Sequence, residues 1–278
     1  MTTTADARKV RMSVVHTIKD TAVITRRNLL RNLRLPQLLV FSTVQPVMFL
    51  LLFNYVFGGA IGGSLPPAAG GEYINWIVPG LIVQVAAFGA GQTAIGLTED
   101  LSKGVIDRFR SLPMARSAVL AGRTVSDLIR NGFVIVLMLA VGLLIGFRWQ
   151  TSPLGMMGGL LVAMVFAYAL SWVMATVGLA VKNPEAAQTA VFLPVFPLVF
   201  ASSVFVPTQT MPGWLRAFAD NQPITITANA LRGLILGEGA LAPGQTVAGQ
   251  VGLSLAWALG IIAVFAPLAV TIYRRLQH

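Results

Sequence analysis

Apolar residues run almost unbroken through six stretches of the chain, at about 38–57, 76–97, 125–147, 156–181, 186–206 and 251–273, with polar residues gathered between them. As a helix rising 1.5 Å per residue, each stretch has about the length that crosses a bilayer's hydrocarbon core. The pattern predicts an all-α integral membrane protein whose six transmembrane helices occupy residues 37–273. Pro46 should kink the first span and Pro194 with Pro197 should distort the fifth, because proline lacks the N–H that would close the helical bond. Gly89, Gly91 and Gly96 in the second span, and Gly142 with Gly146 in the third, read as places where a neighbouring helix or a second copy approaches closely.

Three segments break this rhythm. Residues 1–36 form a tail with eight basic residues between Arg8 and Arg34, among which Val14, Val15, Ile18, Ala22, Ile24 and Leu29 recur at loosely helical spacing. This predicts an amphipathic helix on the membrane surface, the alternative being a solvated basic tail held by anionic lipid. Residues 207–249 are too polar to cross and too apolar for a plain loop. Trp214, Leu215 and Phe218, then Ile224, Ile226, Leu231, Leu234 and Ile235, predict two half-inserted helices meeting at Asn221-Gln222-Pro223, a re-entrant segment on the outward side. Residues 98–123 are a charge island between two spans.

Composition fixes the class: 55% of the 278 residues are hydrophobic and 11% charged, and the mean hydropathy is +0.75, well outside the soluble range. The net charge of +10 is explained by where the charges fall rather than by nucleic acid as a partner. With six spans, 17 of the 20 basic residues lie on the side of the two termini and only Arg148, Arg216 and Arg232 on the other. By the positive-inside rule both termini are cytoplasmic in a multi-pass protein of the cytoplasmic (inner) membrane. The charged lead-in reaches Arg34 before any apolar run, unlike a signal peptide. The absence of cysteine excludes disulfides and thiolate chemistry.

Little in the chain suits covalent catalysis. His16 and His278 lie in the tails, no metal-spaced cluster is present, and the run GAGQTAIG lacks the lysine and hydroxyl of a nucleotide loop. We therefore expect no enzyme activity, no catalytic residue, no metal site and no cofactor bound by this chain. Beyond Asp6 and Asp20 of the tail, all carboxylates (Glu72, Glu99, Asp100, Asp107, Asp127, Glu185, Asp220 and Glu238) fall at a predicted span edge or in a loop, so no span carries the intramembrane acid that ion coupling usually needs. Energy must then arrive from a partner. The island offers a docking surface: Glu99, Asp100, Gly104, Asp107, Arg108, Phe109, Arg110, Leu112, Pro113, Met114 and Arg116, with Phe109, Leu112 and Met114 as apolar anchors and Arg108 and Arg110 as charged contacts. On charge alone, an ordinary topology-setting loop fits as well.

The order of residues separates the two. DRFRSLPMARSAVLAGR, ending at Arg123, resembles the loop between the second and third spans in type-2 export permeases of ATP-binding-cassette (ABC) transporters, especially the daunorubicin/doxorubicin-resistance branch. MPGWLRAFADNQPITITANALRG, Met211 to Gly233, is similar to that family's outward segment before the last span. With six spans and cytoplasmic termini, the resemblance covers nearly the whole chain. It implies a permease subunit that works as two copies, or with a related permease, over a separate nucleotide-binding subunit carrying ATP and Mg. It also implies that the surface helix and the Glu99 to Arg116 loop receive the ATPase stroke, and that the cargo is a hydrophobic or amphipathic drug or a lipid. Phe49, Phe53, Tyr55, Phe88, Phe192, Phe196 and Phe200 are candidate pathway residues, an aromatic and charge-poor set that suits such a cargo. The alternatives are an ATP-independent secondary transporter or channel, or a membrane scaffold subunit.

Overall fold

A helix with apolar residues on every side belongs in the middle of a bundle, and Tyr73–Ser102 is that helix. The computed structural model describes residues 14–34, 36–66, 69–105, 116–181 and 183–275. Among these residues the regular elements are all helical: α1 Val14–Arg34, α2 Pro36–Leu52, α3 Gly58–Ile61, α4 Tyr73–Ser102, α5 Arg116–Leu144, α6 Pro153–Ala180, α7 Pro184–Phe200, α8 Gly213–Asn221, α9 Pro223–Leu236 and α10 Val247–Arg275. A π turn, Phe53–Phe57, joins α2 to α3. Among the described residues five segments are long and apolar enough to cross a membrane: Ser42–Ile61, Tyr73–Ser102, Ala118–Leu144, Pro153–Ala180 and Val247–Arg275.

Helix α4 is buried along nearly its whole length and touches α5, α6, α7 and α9; α10 packs on the far side of α6. Close approach is achieved with glycine. A Cβ on Gly178 of α6 would stand 2.6 Å from the Ala94 carbonyl oxygen of α4, and one on Gly91 of α4 would meet the Val191 side chain of α7 at 2.4 Å. The third-span pair behaves otherwise. Gly142 is turned inward onto Val78, and Gly146 lies past the end of α5 in a turn with φ +118°. These two therefore do not form a GxxxG face for a second copy.

The charge island is shorter than its sequence suggests. Helix α4 continues through Ser102 and stops where Gly104 adopts φ +64°, while α5 starts at Arg116, nine residues before the predicted span. Helical hydrogen bonds need no bilayer, and the charges of Glu99, Asp100 and Arg123 find partners on neighbouring helices. The fifth span also differs: α7 ends at Phe200 rather than Val206. Pro194 and Pro197 weaken its last turns, and Gln222 Nε2 donates to the carbonyls of Leu198 (2.8 Å) and Ala201 (3.1 Å), closing the helix end.

Helix α1 is amphipathic as predicted. Ile24, Thr25 and Asn28 are buried against α5, with Thr25 Oγ1 donating to the Gly122 carbonyl at 3.2 Å. Ile18, Val23 and Leu30 remain exposed beside Lys19, Arg26 and Arg34. Helices α8 and α9 meet at Gln222; the nine residues of α8 span only about 13 Å.

Candidate functional site

The last turn of α4 presents two acids, Glu99 and Asp100, to the basic side of α1. Arg31 Nη2 bonds Glu99 Oε2, Arg31 Nη1 lies 3.6 Å from Asp100 and Arg27 Nη2 lies 3.9 Å from it. Lys103 adds a 3.4 Å contact to Glu99. From α5, Arg123 reaches Asp100 at 3.9 Å and Asp127 at 3.0 Å, and donates to the Gln92 carbonyl at 3.1 Å. Asp127 is itself buried and accepts from Thr93 Oγ1 at 2.8 Å. Acids and bases thus alternate from the surface helix through α4 into α5. Such a lattice suits the transmission of movement, because α1 cannot shift without disturbing charges on both other helices.

Of the predicted docking residues, Glu99 and Asp100 lie on α4 within this lattice, Gly104 ends the helix and Arg116 heads α5. Asp107, Arg108, Phe109, Arg110, Leu112, Pro113 and Met114 lie outside the described residues.

Six of the seven predicted pathway aromatics form a continuous run. Phe88 meets Phe192 at 6.0 Å between ring centroids, then Phe192–Phe196 at 5.0 Å and Phe196–Phe200 at 4.3 Å. Phe205, which was not among them, completes the run by packing on Phe200 at 4.8 Å and Phe53 at 4.5 Å; Phe49 stacks on Phe53 at 5.7 Å. The i, i+4 spacing of residues 192, 196 and 200 places them on one face of α7, where all three remain exposed. Tyr55 stands apart, exposed on the π turn.

At the Phe88–Phe192 end lies a cavity of about 260 Å³ between α2, α4, α5 and α7. Its walls combine Phe49, Phe88 and Phe192 with Gln45, Gln84, Gln92, Gln188, Asn131 and Arg130. Gly89 makes the corner possible. The Arg130 Nη2 group donates to its carbonyl at 3.1 Å, and a Cβ there would overlap the Asn131 amide, 1.7 Å from its Oδ1.

Near the other end of α4, Arg232 of α9 is fully buried among uncharged acceptors. Its Nε donates to Trp76 O (3.2 Å), Nη1 to Ser203 Oγ (2.9 Å) and Asn229 Oδ1 (3.2 Å), and Nη2 to Ser203 O (2.7 Å) and Val204 O (3.1 Å). All five N–H donors of the guanidinium are thereby used, and its carbon sits 3.6 Å from the centroid of the Trp76 ring. Gly80 gives the chain room here, since a Cβ would come within 2.4 Å of Val204 O. The arrangement ties α9 to the start of α4 and to the turn after α7.

Residues 19–236 match the ABC-2 type transporter family. The chain belongs to that family. A daunorubicin resistance ABC transporter permease protein, DrrB1 of Streptomyces coeruleorubidus, is 37% identical over 239 residues, spanning 86% of this chain and 80% of its own length. A probable doxorubicin resistance ABC transporter permease protein, DrrC of Mycobacterium tuberculosis, is 27% identical over 262 residues, covering 94% of this chain and 91% of its own. DrrB of the same species, a doxorubicin resistance ABC transporter permease protein, is 29% identical over 250 residues, 86% and 84% of the two chains.

In this ABC-2 permease the match takes in most of α1 and all of α2 through α9, and stops before α10. Sequence reasoning passed over Arg27, Arg31, Arg123, Asp127, Arg130 and Arg232 as site residues. A signal existed for the α5 group: Arg123, Asp127 and Arg130 share one helix face by i, i+4 and i, i+3 spacing. Arg232 gave none, because its acceptors lie 28 to 156 residues away in sequence apart from Asn229.

Proposed function

We propose that this chain is the membrane-spanning permease subunit of an ATP-driven exporter that moves hydrophobic or amphipathic drugs, or lipids, out of the cytoplasm or inner leaflet. The observation that carries it is the run of phenylalanines leading away from an amphipathic cavity in a chain of the ABC-2 family. The names of its relatives, resistance permeases for daunorubicin and doxorubicin, support a drug as cargo.

In this proposal the protein crosses the cytoplasmic membrane six times, with α7 as the short fifth span and both termini inside, in keeping with the basic residues. Helices α8 and α9 enter and leave on the outward side. ATP and Mg bind a separate nucleotide-binding subunit, and a second permease copy or a related chain completes the pathway. The partner's stroke is received by the 98–123 segment and spreads through the lattice of Arg31, Glu99, Asp100, Arg123 and Asp127.

Co-purification tests the division of labour. Extracted in detergent, the chain should bring a Walker-type ATPase with it, and Phe109→Ala should weaken that association by about 1–4 kcal/mol at equal membrane level. Purification without any ATPase would overturn the proposal in favour of an ATP-independent transporter or a scaffold subunit.

A further inference from the structure

Helix α1 has three sides. One is buried on α5 through Ile24, Thr25 and Asn28, and a second turns Arg27 and Arg31 to the acids of α4. The third carries a groove of about 450 Å³, whose apolar walls come chiefly from Ile18, Ala22 and Leu29 of α1 and Val125 of α5, with Arg26 among its lining residues and no Asp or Glu. Lys19 stands two turns before Arg26 on the same exposed face. Among the described residues neither of these two cations makes a hydrogen bond or an ion pair. Val125 is also the start of a second apolar surface. Ile129, Phe133 and Val136 follow it at helical spacing, all three exposed, on a segment long and apolar enough to cross a membrane. An occupant that suits both surfaces is anionic at Arg26 and apolar along α5 into the depth of the bilayer. A soluble subunit could cover α1 but could not follow α5 into hydrocarbon, whereas a phospholipid does both.

We propose that the groove between α1 and α5 is a binding site for an anionic phospholipid. The phosphate and headgroup rest against Arg26 and Lys19, whose long stems let the charged ends reach the headgroup layer, and the acyl chains run along Val125, Ile129 and Phe133. A zwitterionic lipid brings its own cation to two basic residues with no acid in the groove, while a headgroup of net negative charge, such as phosphatidylglycerol, gains from both. The site is independent of the cargo and of the energy source.

The test uses the full chain in phosphatidylcholine nanodiscs, measured alone and again with the nucleotide-binding subunit bound, and takes advantage of the absence of native cysteine. Phe133→Cys, about 12 Å along α5 from Val125, is labelled with bimane at the depth of the middle of the acyl chains. Leu259→Cys, exposed on α10 and about 22 Å along that helix from Arg274, is the control. The probes are phosphatidylglycerol and phosphatidylcholine brominated at mid-chain, and quenching across a range of mole fractions gives their relative binding at each label. At Phe133 phosphatidylglycerol should be preferred by at least about fivefold, the scale of one basic residue at a membrane surface, and at Leu259 the two lipids should bind about equally. Lys19→Gln with Arg26→Gln should bring the ratio at Phe133 to about one, and Arg26→Lys should keep most of it, since a headgroup needs charge rather than a planar fork. A ratio no larger at Phe133 than at Leu259, or one that survives loss of both basic residues, would overturn the proposal. Two further results would overturn it by naming another occupant. No quenching of Phe133→Cys by either lipid would show a second copy of the chain covering the stripe, and a preference lost once the nucleotide-binding subunit binds would give α1's outer face to that subunit. The comparison of the two labels decides even where the double variant fails to assemble.

Discussion

Gly178 and Gly252 differ only in what surrounds them. A methyl group on Gly178 would press on the Ala94 backbone, which cannot rotate away, whereas nothing lies within 4 Å of one on Gly252 of α10. Gly178→Ala should cost about 1–3 kcal/mol by overpacking, while Gly252→Ala should be neutral or stabilising by up to about 1 kcal/mol through helix propensity. Thermal unfolding of the two variants in detergent should therefore separate them; equal melting temperatures would contradict the packing. Arg232 makes a second case at this scale. Arg232→Met removes the guanidinium donors from the buried carbonyls of Trp76, Ser203 and Val204, at a cost of about 1–3 kcal/mol. Lysine, with three donors in place of five and a shorter reach, should fall between methionine and the wild type. A methionine variant as stable as the wild type would show that the guanidinium is dispensable. None of this was legible in the sequence, where Arg232 reads as an outward loop charge, because its partners converge only once the turn after α7 folds back onto α4.

At the scale of elements, α1 is held to the bundle by shape and by charge, and the two can be separated. A Cβ on Gly122 would stand 2.7 Å from Ile24 Cβ and 3.0 Å from the Thr21 carbonyl oxygen. The Arg31 and Glu99 side chains are about a third exposed, so their pair contributes at most about 1 kcal/mol and less at high salt. We expect Gly122→Val to speed alkylation of Ile24→Cys by at least about tenfold, and Arg31→Gln by no more than about fivefold. An Arg31→Gln effect larger than that of Gly122→Val would make charge the principal anchor. The existence of α1 was legible from its spacing of apolar residues, and α4 from its uninterrupted apolar run. Helix ends were less so. The extent of α4 and α5 beyond the expected spans depends on Glu99, Asp100, Arg123 and Asp127 pairing across three helices, which no local pattern displays. The end of α7 depends on Gln222, more than twenty residues further on.

For the whole molecule, length and apolarity give five candidate spans among the described residues, and α7, the fifth span of the proposed six, is shorter at 17 residues. The orientation proposed from charge can be checked with single cysteines in a chain that has none. An impermeant maleimide added to intact cells should label Ser152→Cys and Gln245→Cys but reach Ser102→Cys only after permeabilisation. The opposite pattern would invert the topology, and labelling of all three would dismantle it. The aromatic run was legible as a set of residue types, though only the fold shows Phe205 joining its two halves and Tyr55 standing outside it. The most direct test of the account as a whole is transport into inside-out vesicles that carry this chain with its nucleotide-binding subunit. With proton and sodium gradients collapsed by ionophores, ATP should still drive accumulation of an amphipathic aromatic fluorophore, and a non-hydrolysable nucleotide should not. Accumulation that ignores ATP and follows an ion gradient instead would contradict it.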